Sequence, residues 1–151
     1  MALDDDVRIL SGVSLFEGFT QEQLRLLAFG AENLRVAAGR DIYREGHPAD
    51  SAFVVVSGRI TLFREDGDDR KPVGEVGPGT LLGEFALIAE ANRLTGASAA
   101  TDTELIRLNR KLFRRILEEY PDIAIALHRR IIDDLQALVA SIEAVAPRFS
   151  S

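Results

Sequence analysis

Between Asn33 and Leu108 the sequence is a succession of short apolar, β-branched runs, SAFVVVSGRITLF and TELIRL among them, interrupted at Gly39, Gly46, Gly58, Gly67, Gly77 and Gly79. Runs this short cannot build long helices. Their spacing predicts strands joined by tight turns, gathered into a barrel or a sandwich. On either side the texture turns helical. Thr20 with Gln23 has the pattern of a capping box, Leu24, Leu27 and Ala28 follow on one face, and the helix is expected to stop near Gly30. Asn109 reads as the N-cap of RKLFRRILEEY, with Phe113, Ile116 and Leu117 turned inward, and Pro121 separates this helix from a longer one. In the longer helix Ile131, Leu135, Leu138, Ile142 and Val145 recur at alternating spacings of four and three. That is the seam of a helix that packs lengthwise, either on its own strands or on a second copy. The expected organisation is one domain: a helical segment over residues 1–32, a β-rich body over 33–109 and C-terminal helices over 110–146, before a frayed PRFSS tail.

A chain of 151 residues can bury a core without disulfide or metal. It has no cysteine, which excludes thiol catalysis, thiolate zinc and iron–sulfur clusters. His47 and His128 are the two histidines, too few and too distant for a histidine-built metal site, and no nucleophile–base pair stands out. Neither a metal nor an enzyme is expected. The net charge of −6, with arginines scattered, argues against a nucleic-acid partner. The acidic opening MALDDDVRIL is unlike a secretory leader, and no apolar run approaches the roughly 20 residues that cross a bilayer. A cytoplasmic protein with no membrane partner is expected, and EDGDD reads as a solvated hairpin tip.

The stretch GEFALIAEANRLTG, Gly83 to Gly96, carries the chemistry. Gly79 to Leu82 reads as a strand arriving at Gly83, and EFALIAE as a helix of about two turns. A helix start behind a glycine directs free N–H groups at one point and lets an anion approach the backbone. Arg93, ten residues after Gly83 and on the returning strand, adds a planar fork that matches two oxygens of a phosphate. Glu84 would repel that phosphate unless it faces a hydroxyl, as a sugar provides. The set describes a pocket for a nucleotide whose phosphate lies close to its ribose.

GEFALIAEANR resembles the phosphate-binding cassette of the cyclic nucleotide-binding domain family, G-E-x-A-L followed by an arginine at this distance. LFEGFTQEQLRLLA, AAGRDIYREGHPADSAFVVVSGRITL, VGPGTLLGEFALI and ASAATDTELIRLNRKLFRRIL are also similar to family segments, so the resemblance, to sensor domains of the Crp/Fnr and protein kinase A regulatory-subunit kind, covers nearly the whole chain. It implies a mainly β fold with flanking helices: an eight-stranded jelly-roll barrel, or double-stranded β-helix, with one helix before it and two after it. By position it gives Gly83, Ala86 and Leu87 as backbone donors near the phosphate, Arg93 as its ion-pair partner and Glu84 as acceptor from the ribose 2′-hydroxyl. Val54, Val56, Ile60 and Leu82 are the candidate walls for the base.

The chain departs from the family after the arginine. It reads Arg93-Leu94-Thr95-Gly96 where a small or hydroxylated residue and then alanine are usual, so Leu94 stands where a hydroxyl often meets the phosphate, and Thr95, at the alanine position, would supply one to the phosphate only if the strand slipped by one residue. No threonine occupies the position that cGMP-selective members use, which favours cAMP. The expected function is a stand-alone cyclic nucleotide sensor, with cAMP or cGMP as ligand rather than cofactor, that passes occupancy through its C-terminal helices to an unidentified effector or to a second copy along residues 122–145. The alternative is a degenerate barrel that has lost its nucleotide and serves as an interaction or dimerisation module. No length remains after the last helix for a helix-turn-helix, so direct DNA binding is not expected.

Overall fold

The computed structural model describes residues 2–150, with side chains described for residues 3–141. It begins with two helices, α1 (Ala2–Ser11) and α2 (Gln21–Gly30), joined through a 3₁₀ turn at Ser14–Phe16. One helix was expected here. Thr20 closes the capping box with Gln23 as read, its hydroxyl accepting from the Gln23 N–H at 3.2 Å while the Gln23 side chain accepts from the Thr20 N–H at 2.8 Å. The additional α1 starts on Asp4 and Asp5 and carries Arg8 in its last turn, which suits the helix dipole. Its Val7 and Leu10 are buried.

Two antiparallel sheets of four strands follow. The first has the order β1 (Glu32–Val36), β10 (Thr103–Asn109), β4 (Ser51–Ser57), β7 (Leu81–Leu82). The second has the order β2 (Asp41–Tyr43), β9 (Gly96–Ala99), β5 (Ile60–Asp66), β6 (Asp69–Val76). A two-residue pair, β3 (Pro48–Ala49) with β8 (Ala91–Asn92), lies beside them. The eight strands of the two larger sheets form the expected jelly roll, and Asp66 pairs with Asp69 across the acidic hairpin tip.

The central strands of the first sheet are buried on both faces. Along β4, Phe53 and Val55 join Ile60, Leu82, Ala97 and Leu105 in a core between the sheets. Ala52 and Val54 turn the other way, onto a second core with Leu10, Phe16, Leu27, Ile106, Phe113 and Ile131. A strand covered on both sides reads as one apolar run rather than an alternation, which is what SAFVVVS is.

Asn109 caps α3 (Arg110–Glu119), its side chain accepting from the Leu112 N–H at 2.8 Å. Phe113 and Ile116 are buried and Leu117 is half-buried against the same core. The chain breaks at Tyr120 (φ −128°, ψ 71°) and continues as α4 (Pro121–Ser150), a single helix through the expected end at residue 146 and the tail that was expected to fray. Of the seam on α4, Ile131 is fully buried, Leu135 half-buried and Leu138 45% exposed. Ile142 and Val145 lie outside the residues whose side chains are described. Among the described residues no helix is long and apolar enough to cross a membrane.

Where β9 pairs with β5, Gly96 lies opposite Phe63, and a Cβ on Gly96 would sit 2.3 Å from the Phe63 ring. The glycine that departs from the family pattern is therefore fitted to an aromatic neighbour. Gly96→Ala is expected to lower unfolding stability by about 1–3 kcal/mol in urea titration. Combined with Phe63→Leu, it should cost less than the sum of the two single changes. Phe113 packs with the rings of Phe16 (6.1 Å) and Phe19 (6.4 Å), so Phe113→Ala should cost about 3–5 kcal/mol in the same assay.

Candidate functional site

β7 ends at Gly83, whose left-handed backbone (φ 74°, ψ 30°) aims the chain into Glu84–Leu87. This segment is a single 3₁₀ turn, not the two helical turns expected. The Ala86 N–H donates to Gly83 O at 3.0 Å and the Ile88 N–H to Phe85 O at 3.1 Å. A longer helix has no room. By Ala91 the chain must be extended to pair with Ala49 in β3, and the Arg93 N–H is fixed to His47 O at 2.9 Å while Arg93 O accepts from the Gly46 N–H at 2.9 Å.

Arg93 is the buried centre of this region, 8% exposed. Its guanidinium lies 4.3 Å from the centroid of the Tyr43 ring and 5.5 Å from that of Phe53, and these two rings are themselves stacked at 6.0 Å. A Cβ on Gly83 would stand 2.3 Å from Arg93 Nη1, so only glycine admits the cation at this depth. Nε and Nη1 are buried and have no hydrogen-bond partner. Burial lowers the guanidinium's pKa from its ordinary value, opposed by Tyr43 and Asp50. Aromatic faces stabilise a cation but do not satisfy its N–H groups, and each one left unmade carries a desolvation penalty.

Beside it opens a cavity of about 890 Å³. Gly83, Glu84, Phe85, Ala86, Arg93, Leu94 and Thr95 line one side. The second sheet and β7 supply Leu62, Val73, Val76 and Leu82, and α4 covers the space with Leu135, Leu138 and Val139. Charged groups gather at the lining's edge, where Arg64 pairs with Glu45 and Lys71 with Asp66 at 3.1 Å. The result is a largely apolar chamber whose Gly83–Thr95 side carries one cation, Arg93, and one carboxyl group, the construction of a small-molecule site.

That carboxyl is Glu84, half-buried and facing Asp134 of α4. Its pKa is pushed up to about 7, first by burial, then by the charge of Asp134 and the hydrogen bond between the two carboxyl groups, with Arg130 pulling the other way. Thr95 is buried, and burial raises the pKa of the Tyr43 phenol, opposed by Arg93 and Thr95. Leu94 is 41% exposed and borders the cavity.

The structure thus brings Gly83, Glu84, Ala86, Arg93, Leu94, Thr95 and Leu82 to one cavity, and separates four expected residues from it. Leu87, expected as a backbone donor, is not among the cavity-lining residues, and its side chain packs in the helix-side core. Val54 belongs to that core and Val56 packs against it, because alternation along β4 directs them away from the barrel interior. Ile60 is in the core between the sheets without reaching the cavity wall. The apolar walls beside the expected Leu82 are instead Leu62, Val73, Val76 and the α4 residues. Ala86 also differs from expectation, since its N–H is engaged inside the turn. Sequence reading missed Tyr43, whose aromatic ring in RDIYREG was the available signal, and Asp134, for which the sequence near the cassette gives none. It also missed Arg110, which donates from Nε to Ala86 O at 2.8 Å and from Nη2 to Ala49 O at 2.5 Å, tying the turn to the first residue of α3.

Comparison with known proteins agrees with this geometry. The chain is 34% identical over 112 residues to Lysophospholipase nte1 of Aspergillus fumigatus, covering 74% of this chain and 7% of that much longer protein. Among solved structures, a cyclic nucleotide-binding-like protein from Brucella abortus is 60% identical with a TM-score of 0.71, over 76% of this chain and 99% of that one. The N-terminal domain of a transcriptional regulator from Streptomyces coelicolor is 27% identical with a TM-score of 0.75, over 89% and 94%. Residues 33–120 match the family model described as the cyclic nucleotide-binding domain, which spans both sheets, the 3₁₀ turn and α3, and the chain belongs to that family.

Proposed function

We propose that the cavity binds a cyclic nucleotide and that occupancy is passed on through α4. One observation carries the reading: Arg93 is buried with two N–H-bearing nitrogens unpartnered, and no carboxylate of the described residues forms an ion pair with it. A buried cation in this state calls for an anion, and a planar fork at the wall of an apolar chamber suits the two exocyclic oxygens of a phosphodiester. Gly83 allows that phosphate to approach the backbone. In its ionised form Glu84 accepts the ribose 2′-hydroxyl, and the base lies among Leu62, Val73, Val76 and Leu82 beneath α4. The absence of a hydroxyl at Leu94 favours adenine over guanine, hence cAMP. The role is binding and regulation rather than catalysis. The apolar side chains of Ile125, Ile132 and Leu138 left exposed on α4 give a second copy or an effector protein a surface to read.

The engaged Ala86 N–H and the bulk of Leu94 favour a second reading, a barrel that keeps the fold and has lost its ligand. Calorimetric titration of the chain with cAMP and with cGMP separates the two. Under the first reading cAMP binds more tightly than cGMP, Arg93→Ala costs about 2–5 kcal/mol of affinity and Glu84→Gln costs less. Under the second, neither nucleotide gives heat, and Leu94→Ser creates binding that the parent chain lacks.

A further inference from the structure

β2 is irregular at one place, and the irregularity decides where Tyr43 points. Asp41 pairs with Ser98 of β9 and Tyr43 pairs with the neighbouring Ala97, so Ile42 is an extra residue and the register shifts across it. In a regular strand Asp41 and Tyr43 would share a face. The bulge separates them. Asp41 stays at the surface in an ion pair with Arg70 at 2.8 Å, whereas Tyr43 lies opposite the buried Ala97 and packs against the core between the sheets. There it meets Phe53 of β4, which comes from the first sheet, with the rings stacked at 6.0 Å. The Arg93 guanidinium lies over both, 4.3 Å from the Tyr43 centroid and 5.5 Å from that of Phe53. The cation is thus seated where an aromatic side chain of each sheet meets the other.

The kind of partner decides what the cation can still do. A carboxylate meets a guanidinium edge-on, in its plane, and takes up the N–H groups it reaches. A ring attracts it through its face. Because all five N–H groups lie in the guanidinium plane, a cation held by its face keeps them for another acceptor. Arg93 Nε and Nη1, buried and without a hydrogen-bond partner, are in that condition. We propose that Tyr43 is the positioning residue of the site: its ring, turned inward by the bulge at Ile42, holds Arg93 by the face at the cavity wall and leaves the edge of the guanidinium to an anionic ligand. The proposal deepens the nucleotide-binding reading and rests on it for the ligand. Tyr43 acts through Arg93, and the ring rather than the phenol hydroxyl is the working part. Phe53, buried and farther from the guanidinium, supports the Tyr43 ring.

The test has two arms, both on the full chain, with the parent, Tyr43→Phe and Tyr43→Leu. In the first, the Hε and Hδ signals of the Arg93 side chain are followed by NMR without nucleotide. Protons held over an aromatic face resonate upfield of their ordinary positions, so an upfield shift is expected in the parent and in Tyr43→Phe and should be largely lost in Tyr43→Leu. Ordinary arginine positions in the parent overturn the proposal with no variant needed, and an unchanged shift in Tyr43→Leu overturns it as well. In the second arm, cAMP is titrated calorimetrically. Tyr43→Leu should weaken binding about tenfold, the size of a desolvated cation–ring contact, while Tyr43→Phe should stay within about twofold of the parent. Parent-like affinity in Tyr43→Leu overturns the positioning role. Tyr43→Phe binding as weakly as Tyr43→Leu overturns it in favour of the hydroxyl. If the Arg93 shift appears as expected and the parent binds no cAMP, the nucleotide reading fails while the seating of Arg93 on Tyr43 stands.

Discussion

The site depends on placing a guanidinium where water cannot reach most of it. Arg93 lies against the Tyr43 ring and beneath a residue that has no Cβ, and the backbone on either side of it is clamped by hydrogen bonds to the segment from Gly46 to His47. The protein holds the cation in position but leaves its N–H groups unmade. That arrangement costs folding free energy, which under the proposed function would return as affinity for an anion, the difference between a preorganised site and a surface ion pair. The surface pairs of this chain, such as Arg70 with Asp41 at 2.8 Å and Arg59 with Glu75, are exposed and hold no cavity open.

The elements legible in the sequence were those fixed by local chemistry. Thr20 with Gln23 and Asn109 with Leu112 are contacts within one turn of helix, so residue types at fixed spacing disclosed them. α1 was obscured by its acidic run, although Val7 and Leu10 at helical spacing were its signature. The short turn after Gly83 was misjudged because EFALIAE has the propensity for a longer helix, and the limit on its length comes from β8 having to pair with β3, a tertiary demand no local pattern expresses.

Three of the four expected base-pocket residues, Val54, Val56 and Ile60, do not line the cavity, for a different reason. SAFVVVS is apolar on both faces, so it gives no sign of which residues look into the barrel, and Val54 and Val56 turned out to serve the helices. The Gly83-to-Arg93 stretch was readable as a motif, while the residues packed on it were not. Tyr43 and Asp134 come to Arg93 and Glu84 from distant parts of the chain. At Gly96, where the chain departs from the family pattern, the Phe63 ring packs against the position a side chain would take.

Arg110 gives the architecture a mechanical property. Its guanidinium grips the Ala86 carbonyl and the Ala49 carbonyl at once, while its own N–H is fixed to Asp50 O at 2.9 Å. The first residue of α3 is thus pinned to the wall of the chamber, and α3 runs into α4 after one break at Tyr120. A displacement of the Glu84–Leu87 turn would therefore reach the start of α3 through Arg110 rather than be absorbed in a loop.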